Sequence, residues 1–279
     1  MTLPLTPIFL VDRFPPLHAE LIRLLRGLSA QDWNRPTSCA LWSVKDIVAH
    51  LLDTCLRRLS FGRDGLVPPA GRAIQEFDDL VSYLNELNAQ WVTASRRLSP
   101  RVLIELLEAS EPRLYAYLAA LDPMAVAQFG VAWAGESSSP VWFDIGREYT
   151  ERWLHQQQIR EAVHAPALTG REWLFPALDI FVRALPHSYR AVAAAPGRTV
   201  RLDIEGDAGG SWTLEKQPEG WLLLRGAADS PSGRIVMDQD VAWKLFSKGL
   251  SREAARSRIR LEGDTSLGEP ILNALAVMA

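Results

Sequence analysis

Residues 42–59, WSVKDIVAHLLDTCLRRL, predict a helix with one buried face. Ser43 and Asp46 have the spacing of a capping box, in which each side chain accepts a hydrogen bond from the other residue's backbone N–H at the helix start. Apolar residues then recur every three to four positions, as on one side of an α-helix: Val44, Ile47, Val48, Leu51, Leu52, Cys55 and Leu59. His50 lies beside this stripe and not at its centre, so we expect an imidazole at the rim of a helix-packing face.

Further segments of the chain share this helical period. They span residues 14–28, 74–99, 101–121, 141–163 and 171–195. Pro112 and Pro186 lie inside two of them, and proline interrupts a helix because it has no amide hydrogen. Helices of this kind bury their apolar faces against one another, so residues 1–165 are predicted to form an up-and-down four-helix bundle.

The hydrophobic period changes after Pro196. Val200, Leu202 and Ile204 alternate with charged residues, which is typical of a half-buried strand. A hairpin at 210–226, strands at 232–237 and 258–263, and helices at 238–249 and 266–279 complete the pattern. The sequence therefore predicts an α+β protein that is mainly α, in which residues 166–279 form a linker helix followed by a smaller mixed α/β domain.

Composition limits the functions to consider. A net charge of −3 with no basic cluster does not favour nucleic-acid binding. No stretch reaches the ~18 apolar residues of a membrane span, and the first residues do not have the pattern of a signal peptide. Two cysteines cannot build a disulfide framework. We therefore expect a cytoplasmic protein, monomeric or homodimeric, that acts on a small-molecule substrate.

A candidate metal site is indicated by EYTERWLHQQQIR, residues 148–160. On a helix, Glu151 and His155 share one face, with Cβ atoms about 5–6 Å apart. His50 would supply a third ligand, since bundles commonly bind metals through side chains of facing helices. Glu148 lies on nearly the same face as His155, so spacing leaves it open as the carboxylate in place of Glu151. The Glu–His pair by itself is also typical of a solvated helix face.

The segment DWNRPTSCALWSVKDIVAHLLD, residues 32–53, resembles the N-terminal signature of the mycothiol-dependent maleylpyruvate isomerase family, within the DinB-like superfamily. The matching residues are Trp33, Pro36, Thr37, Cys39, Trp42, Ser43, Val44, Asp46 and His50. Residues 258–279 are similar to the segment that closes the family's second domain, which resembles the sterol carrier protein type two fold. The resemblance implies a DinB-like metal-binding bundle followed by a sterol-carrier-like domain.

The resemblance also implies a divalent metal, zinc or nickel, bound by His50, Glu151 and His155, and a low-molecular-weight thiol such as mycothiol. Two neutral imidazoles and one carboxylate leave a fourth position open, as in catalytic zinc sites. In the isomerisation that the family implies, a thiolate adds to the conjugated cis double bond of an enone acid, and its expulsion after bond rotation gives the trans product. A thiol S-transferase would use the addition alone.

An acidic substrate and an anionic thiol would need cationic partners. Arg160, at the end of the metal-bearing helix, is the candidate catalytic residue from the bundle. Arg225, Arg234 and Arg260 are candidates for binding the thiol cofactor from the second domain, and the sequence does not rank them.

Gln158 departs from the family pattern, because the isomerases tend to have an aspartate three residues after the second histidine. Two other functions therefore stay open. One is a metal-dependent hydrolase with Asp46 or Glu148 as the general base. The other is a non-catalytic protein that binds a small apolar ligand behind the sheet.

Overall fold

The computed structural model describes residues 1–66 and 68–277, and the chain divides into two compact units. The helical unit comprises Phe9–Gln128 and Glu151–Ala167. The sheet unit comprises Met1–Ile8, Phe129–Thr150 and Leu168–Val277. The presence of many helices and one mixed sheet confirms the predicted α+β, mainly α class. A boundary at 165/166 between independently folding domains stays a prediction, because compactness alone does not establish independent folding.

The helical unit is built around the predicted capped helix. Its elements are α1 (Phe14–Arg26), α2 (Val44–Arg57), α3 (Phe77–Ser95), α4 (Pro100–Ala119) and the later turns of α5 (Val141–Ala162). Helix α2 packs against α3 and α4, and α4 packs against α1. A π-helical turn, Arg58–Arg63, continues α2. The core contains Val44, Ile47 and Leu103, which are fully buried and come from α2 and α4.

Helix α4 continues through Pro112, so the predicted interruption there is wrong. A proline inside a helix removes one N–H donor and crowds the preceding turn, but it does not remove the other hydrogen bonds of the helix. Leu107 and Leu114, on either side of the proline, are fully buried. Their burial holds both halves of α4 against the bundle.

The sheet unit has the alternating strands that the sequence predicts, and Val200, Leu202 and Ile204 are buried on β2. Its later elements are α6 (Arg171–Phe181), α7 (Leu185–Ser188), β2 (Thr199–Glu205), β3 (Gly210–Gln217), β4 (Gly220–Arg225), β5 (Gly233–Asp238), α8 (Gln239–Phe246), α9 (Arg252–Arg256), β6 (Arg260–Gly263) and α10 (Thr265–Gly268). The strand order is β1-β4-β3-β2-β5-β6, where β1 is Leu3–Pro4. Strands β2 and β5 are parallel, and the other neighbours are antiparallel.

Both ends of the sheet unit differ from the prediction. Strand β1, near the N-terminus, pairs with β4 and was not expected from the sequence. The predicted closing helix at 266–279 is wrong over its described part, since α10 ends at Gly268 and a 3₁₀ turn follows at Glu269–Asn273. Pro270 lacks the amide hydrogen that would continue the α-helix. Met278 and Ala279 lie outside the described residues.

Candidate metal centre

The start of helix α2, which carries His50, is fixed by the predicted capping box. Ser43 Oγ accepts a hydrogen bond from Asp46 N at 3.3 Å, and Ser43 N donates to Asp46 Oδ2 at 3.1 Å. Arg96 Nε donates to Asp46 Oδ1 at 3.2 Å. Burial acts to raise the pKa of Asp46, but the hydrogen bonds from Arg96 and Ser43 outweigh it and lower this pKa below its ordinary value. The Asp46 carboxylate is therefore committed to the helix start.

Three side chains converge inside the helical unit: His50 from α2, and Glu151 and His155 from α5. Each contributes a nitrogen or oxygen atom, and these atoms lie within 4.8 Å of one another. Glu151 Oε1 is 2.9 Å from His50 Nε2 and 3.1 Å from His155 Nε2. The i, i+4 spacing explains why the two α5 residues meet. The approach of His50 comes from the tertiary fold.

The two histidines are buried, so the expectation that His50 lies at the rim of a helix-packing face is wrong. His50 is 3% exposed and His155 is 7% exposed, whereas the side chain of Glu151 is 30% exposed. The Trp42 ring lies over the pair, with its centroid 4.7 Å from the His50 ring and 6.0 Å from the His155 ring. The group is therefore covered on the tryptophan side, and Glu151 is its most exposed member.

Glu148, the alternative carboxylate, has a different environment. Its Oε1 atom accepts a hydrogen bond from Arg147 Nη2 at 3.1 Å. Among the described residues, the group that could hold a metal ion contains Glu151 and not Glu148. Geometry thus favours Glu151 over Glu148 as the carboxylate ligand.

His155 has a second polar neighbour that sequence reasoning did not place at the site. Its Nδ1 atom is 2.7 Å from Gln158 Oε1, and the Cys39 thiol donates to the same oxygen at 3.2 Å. The i, i+3 spacing on α5 would have indicated contact between Gln158 and His155. No local signal in the sequence places Cys39 there, because 119 positions separate it from Gln158.

Charge is distributed unevenly over the converging group. Burial acts to raise the pKa of Glu151, but the charge and hydrogen bond of His155 outweigh it and hold this pKa well below its ordinary value. Burial acts to lower the pKa of His155, yet the adjacent Glu151 carboxylate raises it to about 10. Burial prevails at His50 and lowers its pKa to about 4. At pH 7 and without a metal, the group holds a carboxylate, an imidazolium and a neutral imidazole.

Either a hydrogen on His155 Nε2 or a metal ion must lie between this nitrogen and Glu151 Oε1, because otherwise the two atoms would present lone pairs to each other at 3.1 Å. His50 Nδ1 is buried and has no hydrogen-bond partner among the described residues. Two imidazole nitrogens and one carboxylate oxygen form a ligand set that zinc accepts, and binding of a divalent ion would displace the proton. The residues present therefore fit a divalent metal.

Arg160, the predicted catalytic residue, lies one turn beyond His155 on α5 and is buried. Its Nη1 atom donates to Pro166 O at 2.7 Å, and its Nη2 atom donates to Gln156 Oε1 at 3.1 Å. The same Nη2 atom forms an ion pair with Glu20 at 3.3 Å. These contacts join α5 to α1 and to the segment that follows α5. A catalytic role for Arg160 stays a prediction.

The three arginines predicted to bind a thiol cofactor belong to the sheet unit and have acidic partners there. The pairs are Arg225 with Asp179, Arg234 with Asp203 and Glu262, and Arg260 with Glu205 and Glu262. The Asp179 side chain is fully buried, whereas the guanidinium of Arg260 is largely exposed. Binding of a cofactor by Arg225, Arg234 or Arg260 stays a prediction.

A helical bundle in which a His–Glu–His group converges, joined to a mixed sheet unit, defines a DinB-like protein with a C-terminal α+β part. The chain belongs to the mycothiol maleylpyruvate isomerase N-terminal domain family, whose model matches residues 14–160. This match runs from the start of α1 into the last turn of α5 and includes His50, Glu151 and His155. It confirms the family that the N-terminal signature indicated.

One solved structure shares the fold at low sequence identity, with a TM-score above 0.5. A histidine-to-alanine mutant of the mycothiol-dependent maleylpyruvate isomerase is 12% identical, has a TM-score of 0.52, and aligns over 84% of this chain and 86% of its own. A further structure of the mycothiol-dependent maleylpyruvate isomerase has a TM-score of 0.47 at the same identity and coverage. No protein of curated function matches this sequence at a significant level. The structural likeness concerns the fold alone.

Proposed function

We propose that this protein is a metal-dependent enzyme that uses a low-molecular-weight thiol, of the mycothiol type, to isomerise or conjugate a small electrophilic acid. The observation that carries the proposal is the convergence of His50, Glu151 and His155 within the helical unit. Family membership supports it, because the family model is named for a mycothiol-dependent isomerase. The residues that fit a metal lie inside the matched part of the chain.

The atoms that would hold the metal are His50 Nε2, His155 Nε2 and Glu151 Oε1, because these atoms face one another. When bound, a divalent ion would supply Lewis acidity and lower the pKa of a thiol, so that the nucleophilic thiolate exists at neutral pH. Two neutral imidazoles and one carboxylate carry a single negative charge. The loaded site would therefore remain positive and suit an anionic sulfur. We propose zinc as the ion, with nickel as the alternative.

The protein surroundings would control access to this site. His50 and His155 are buried and the Trp42 ring covers them, which excludes water from that side. The partly exposed side chain of Glu151 marks the side from which thiol and substrate would enter. Isomerisation would return the thiol unchanged, since addition and expulsion of the same thiolate alter only the double-bond geometry. Transfer would consume the thiol.

The geometry of the described residues does not favour the two other functions. A hydrolase needs a carboxylate that is able to take a proton from water, but Asp46 is bound by Ser43 and Arg96, and Glu148 by Arg147. An apolar-ligand carrier needs space behind its sheet. The gap lined by Tyr189, Trp212, Ile271 and neighbouring strand residues has no room for a water molecule.

A cytoplasmic location and a monomeric or homodimeric state remain part of the proposal. Within residues 1–66 and 68–277, no helix is long and apolar enough to cross a membrane. The cysteine content fits a reducing compartment, where low-molecular-weight thiols are maintained. Sedimentation or light scattering of the purified protein would establish the oligomeric state.

Metal analysis followed by a thiol-dependence assay tests the proposal. We expect about one divalent ion per chain, because the site offers one set of three donors. Conversion of a cis-enone acid such as maleylpyruvate should then require mycothiol, and it should disappear after chelation and return with zinc. A free-thiol titration during turnover separates isomerase from transferase. Turnover that is the same with and without thiol would reject the proposal and make the hydrolase the leading hypothesis.

A further inference from the structure

The side-chain amide of Gln158 stands directly behind the proposed metal ligand His155. Both residues are on α5, three positions apart, and each is 7% exposed. Gln158 Oε1 lies 2.7 Å from His155 Nδ1, the ring nitrogen that points away from Glu151. The same oxygen receives the Cys39 thiol hydrogen at 3.2 Å. The Gln158 amide oxygen therefore contacts both His155 and Cys39, and Cys39 belongs to the loop before α2.

We propose that Gln158 is a positioning residue that keeps the proton of His155 on Nδ1 and so reserves Nε2 for the metal. This inference rests on the proposed metal site and adds a determinant of its affinity. An amide oxygen has lone pairs and no hydrogen, so it serves only as an acceptor. The ring nitrogen that faces it must be the donor. The hydrogen bond fixes both the tautomer and the rotation of the ring.

Cys39 favours the orientation in which the amide oxygen faces the histidine. The thiol hydrogen has its acceptor at the oxygen end of Gln158, 3.2 Å from the sulfur. The loop holds the thiol in place, because Cys39 N donates to Thr37 Oγ1 at 3.2 Å and Trp42 N donates to Cys39 O at 2.8 Å. A flipped amide would remove this acceptor from the thiol hydrogen. The loop before α2 thus stabilises the orientation that His155 requires.

An amide and a carboxylate at this position would have different effects. Both accept from Nδ1–H, but a carboxylate also increases the basicity of the ligand nitrogen across the ring. Gln158 is neutral and supplies orientation without that added charge. We therefore expect Gln158→Glu to bind zinc at least as tightly as the wild type. Gln158→Leu, which keeps the bulk but has no acceptor, should bind about 10- to 100-fold more weakly, the usual effect of removing such a partner.

The experiment measures zinc dissociation constants by competition with a chromophoric chelator, using full-length protein. Gln158→Met is a second variant without an acceptor oxygen, in case Gln158→Leu fails to fold. Gln156→Leu is the matched control, because Gln156 is a buried glutamine of the same helix whose amide bonds Leu17 O and Arg160 instead. It should change melting behaviour but not zinc affinity. Wild-type zinc affinity in Gln158→Glu, together with weak affinity in the variants without an acceptor, would show that the hydrogen bond to His155 matters and not only the packing of the side chain.

A spectroscopic readout tests the tautomer directly. In zinc-loaded protein labelled with ¹⁵N-histidine, we expect His155 to show a protonated Nδ1 that exchanges slowly and a metal-bound Nε2. Gln158→Leu and Gln158→Met should lose the slow exchange, and Gln158→Glu should keep it. Zinc bound through His155 Nδ1, or wild-type affinity in both variants that lack the acceptor, would overturn the inference and leave the proposed function standing. A wild-type protein that binds no zinc would overturn both.

Cys39 gives an internal comparison. Because a thiol is a weak donor, Cys39→Ala should weaken zinc binding less than Gln158→Leu does. A loss of affinity in Cys39→Ala greater than in Gln158→Leu would show that the thiol acts on the metal by another route, and it would overturn the role given to Gln158.

Discussion

A buried ion pair between α4 and α5 should contribute strongly to the stability of the helical unit. Glu111 and Arg152 approach to 3.3 Å, and their side chains are 7% and 8% exposed. Arg152 follows directly after Glu151 in the chain, so this contact anchors α5 beside the converging group. The change Glu111→Gln keeps the volume of the side chain and removes its charge. The buried guanidinium would then lose the charge of the Glu111 carboxylate.

The structure sets the size of the expected effect. Solvent does not screen a pair with more than nine-tenths of each side chain buried, and removing one partner of such a pair costs about 3–5 kcal/mol. The Phe14 ring, 5.7 Å from the Arg152 guanidinium carbon, gives the remaining cation some stabilisation. We therefore expect a loss near the lower value, about 3 kcal/mol in the free energy of unfolding. At about 2–4 °C per kcal/mol, the melting temperature should fall by about 6–12 °C.

Urea unfolding, followed by circular dichroism and tryptophan fluorescence, measures this loss. The matched control is Glu105→Gln, on the same helix, because the Arg101–Glu105 pair is exposed and should contribute at most about 1 kcal/mol. Zinc affinity of the folded Glu111→Gln protein should stay near that of the wild type. An unfolding free energy of Glu111→Gln within 1 kcal/mol of the Glu105→Gln value would refute the reasoning that burial makes removal of this charge more costly than removal of an exposed one.

Three further predictions concern the site and α2. Glu151→Gln should lose metal, while Glu148→Gln should retain it, as measured by metal content after dialysis; retention in Glu151→Gln would contradict the ligand set. Burial raises the pKa of Asp53 to about 6, so the native state binds the carboxyl proton of Asp53 more tightly than the unfolded chain does. The contribution of this group to the free energy of unfolding therefore falls as pH rises from about 4 to 6 and does not change further above about pH 6. Asp53→Asn should remove that part of the pH dependence in thermal melts, at most about 3 kcal/mol; parallel wild-type and variant curves would refute this. Ser43→Ala should cost about 1 kcal/mol in unfolding free energy because Asp46 N loses its cap acceptor, and no measurable loss would argue against the capping box.

Local patterns in the sequence predicted the elements whose causes are local. The capping box and apolar stripe of α2 gave its start and its buried face, because both depend on residues a few positions apart. The β3–β4 hairpin was predicted for the same reason, with Pro218 and Glu219 between two alternating runs. Strand β1 could not be predicted this way. It has two residues, and its partners Leu224 and Arg225 are more than 200 positions away.

The candidate site shows the same division. Spacing placed Glu151 and His155 on one face of a helix but did not choose between Glu148 and Glu151. The pairing of His50 with Glu151 spans 101 positions and came from the family resemblance, not from any period in the sequence. The position of His50 at the rim of a packing face was predicted wrongly. A helical wheel locates a residue relative to its own helix, whereas burial also depends on neighbours such as Trp42, which covers both rings.

Strand β1 also protects the sheet from association with other chains. It pairs with the outer side of β4 through Leu3 and Pro4, and Pro4 has no amide hydrogen to offer to a further strand. A chain shortened by its first eight residues would leave the backbone groups of Leu224 and Arg225 exposed at an open edge, where strands of other molecules add readily. A short segment without catalytic residues thereby contributes to keeping the sheet unit from aggregating.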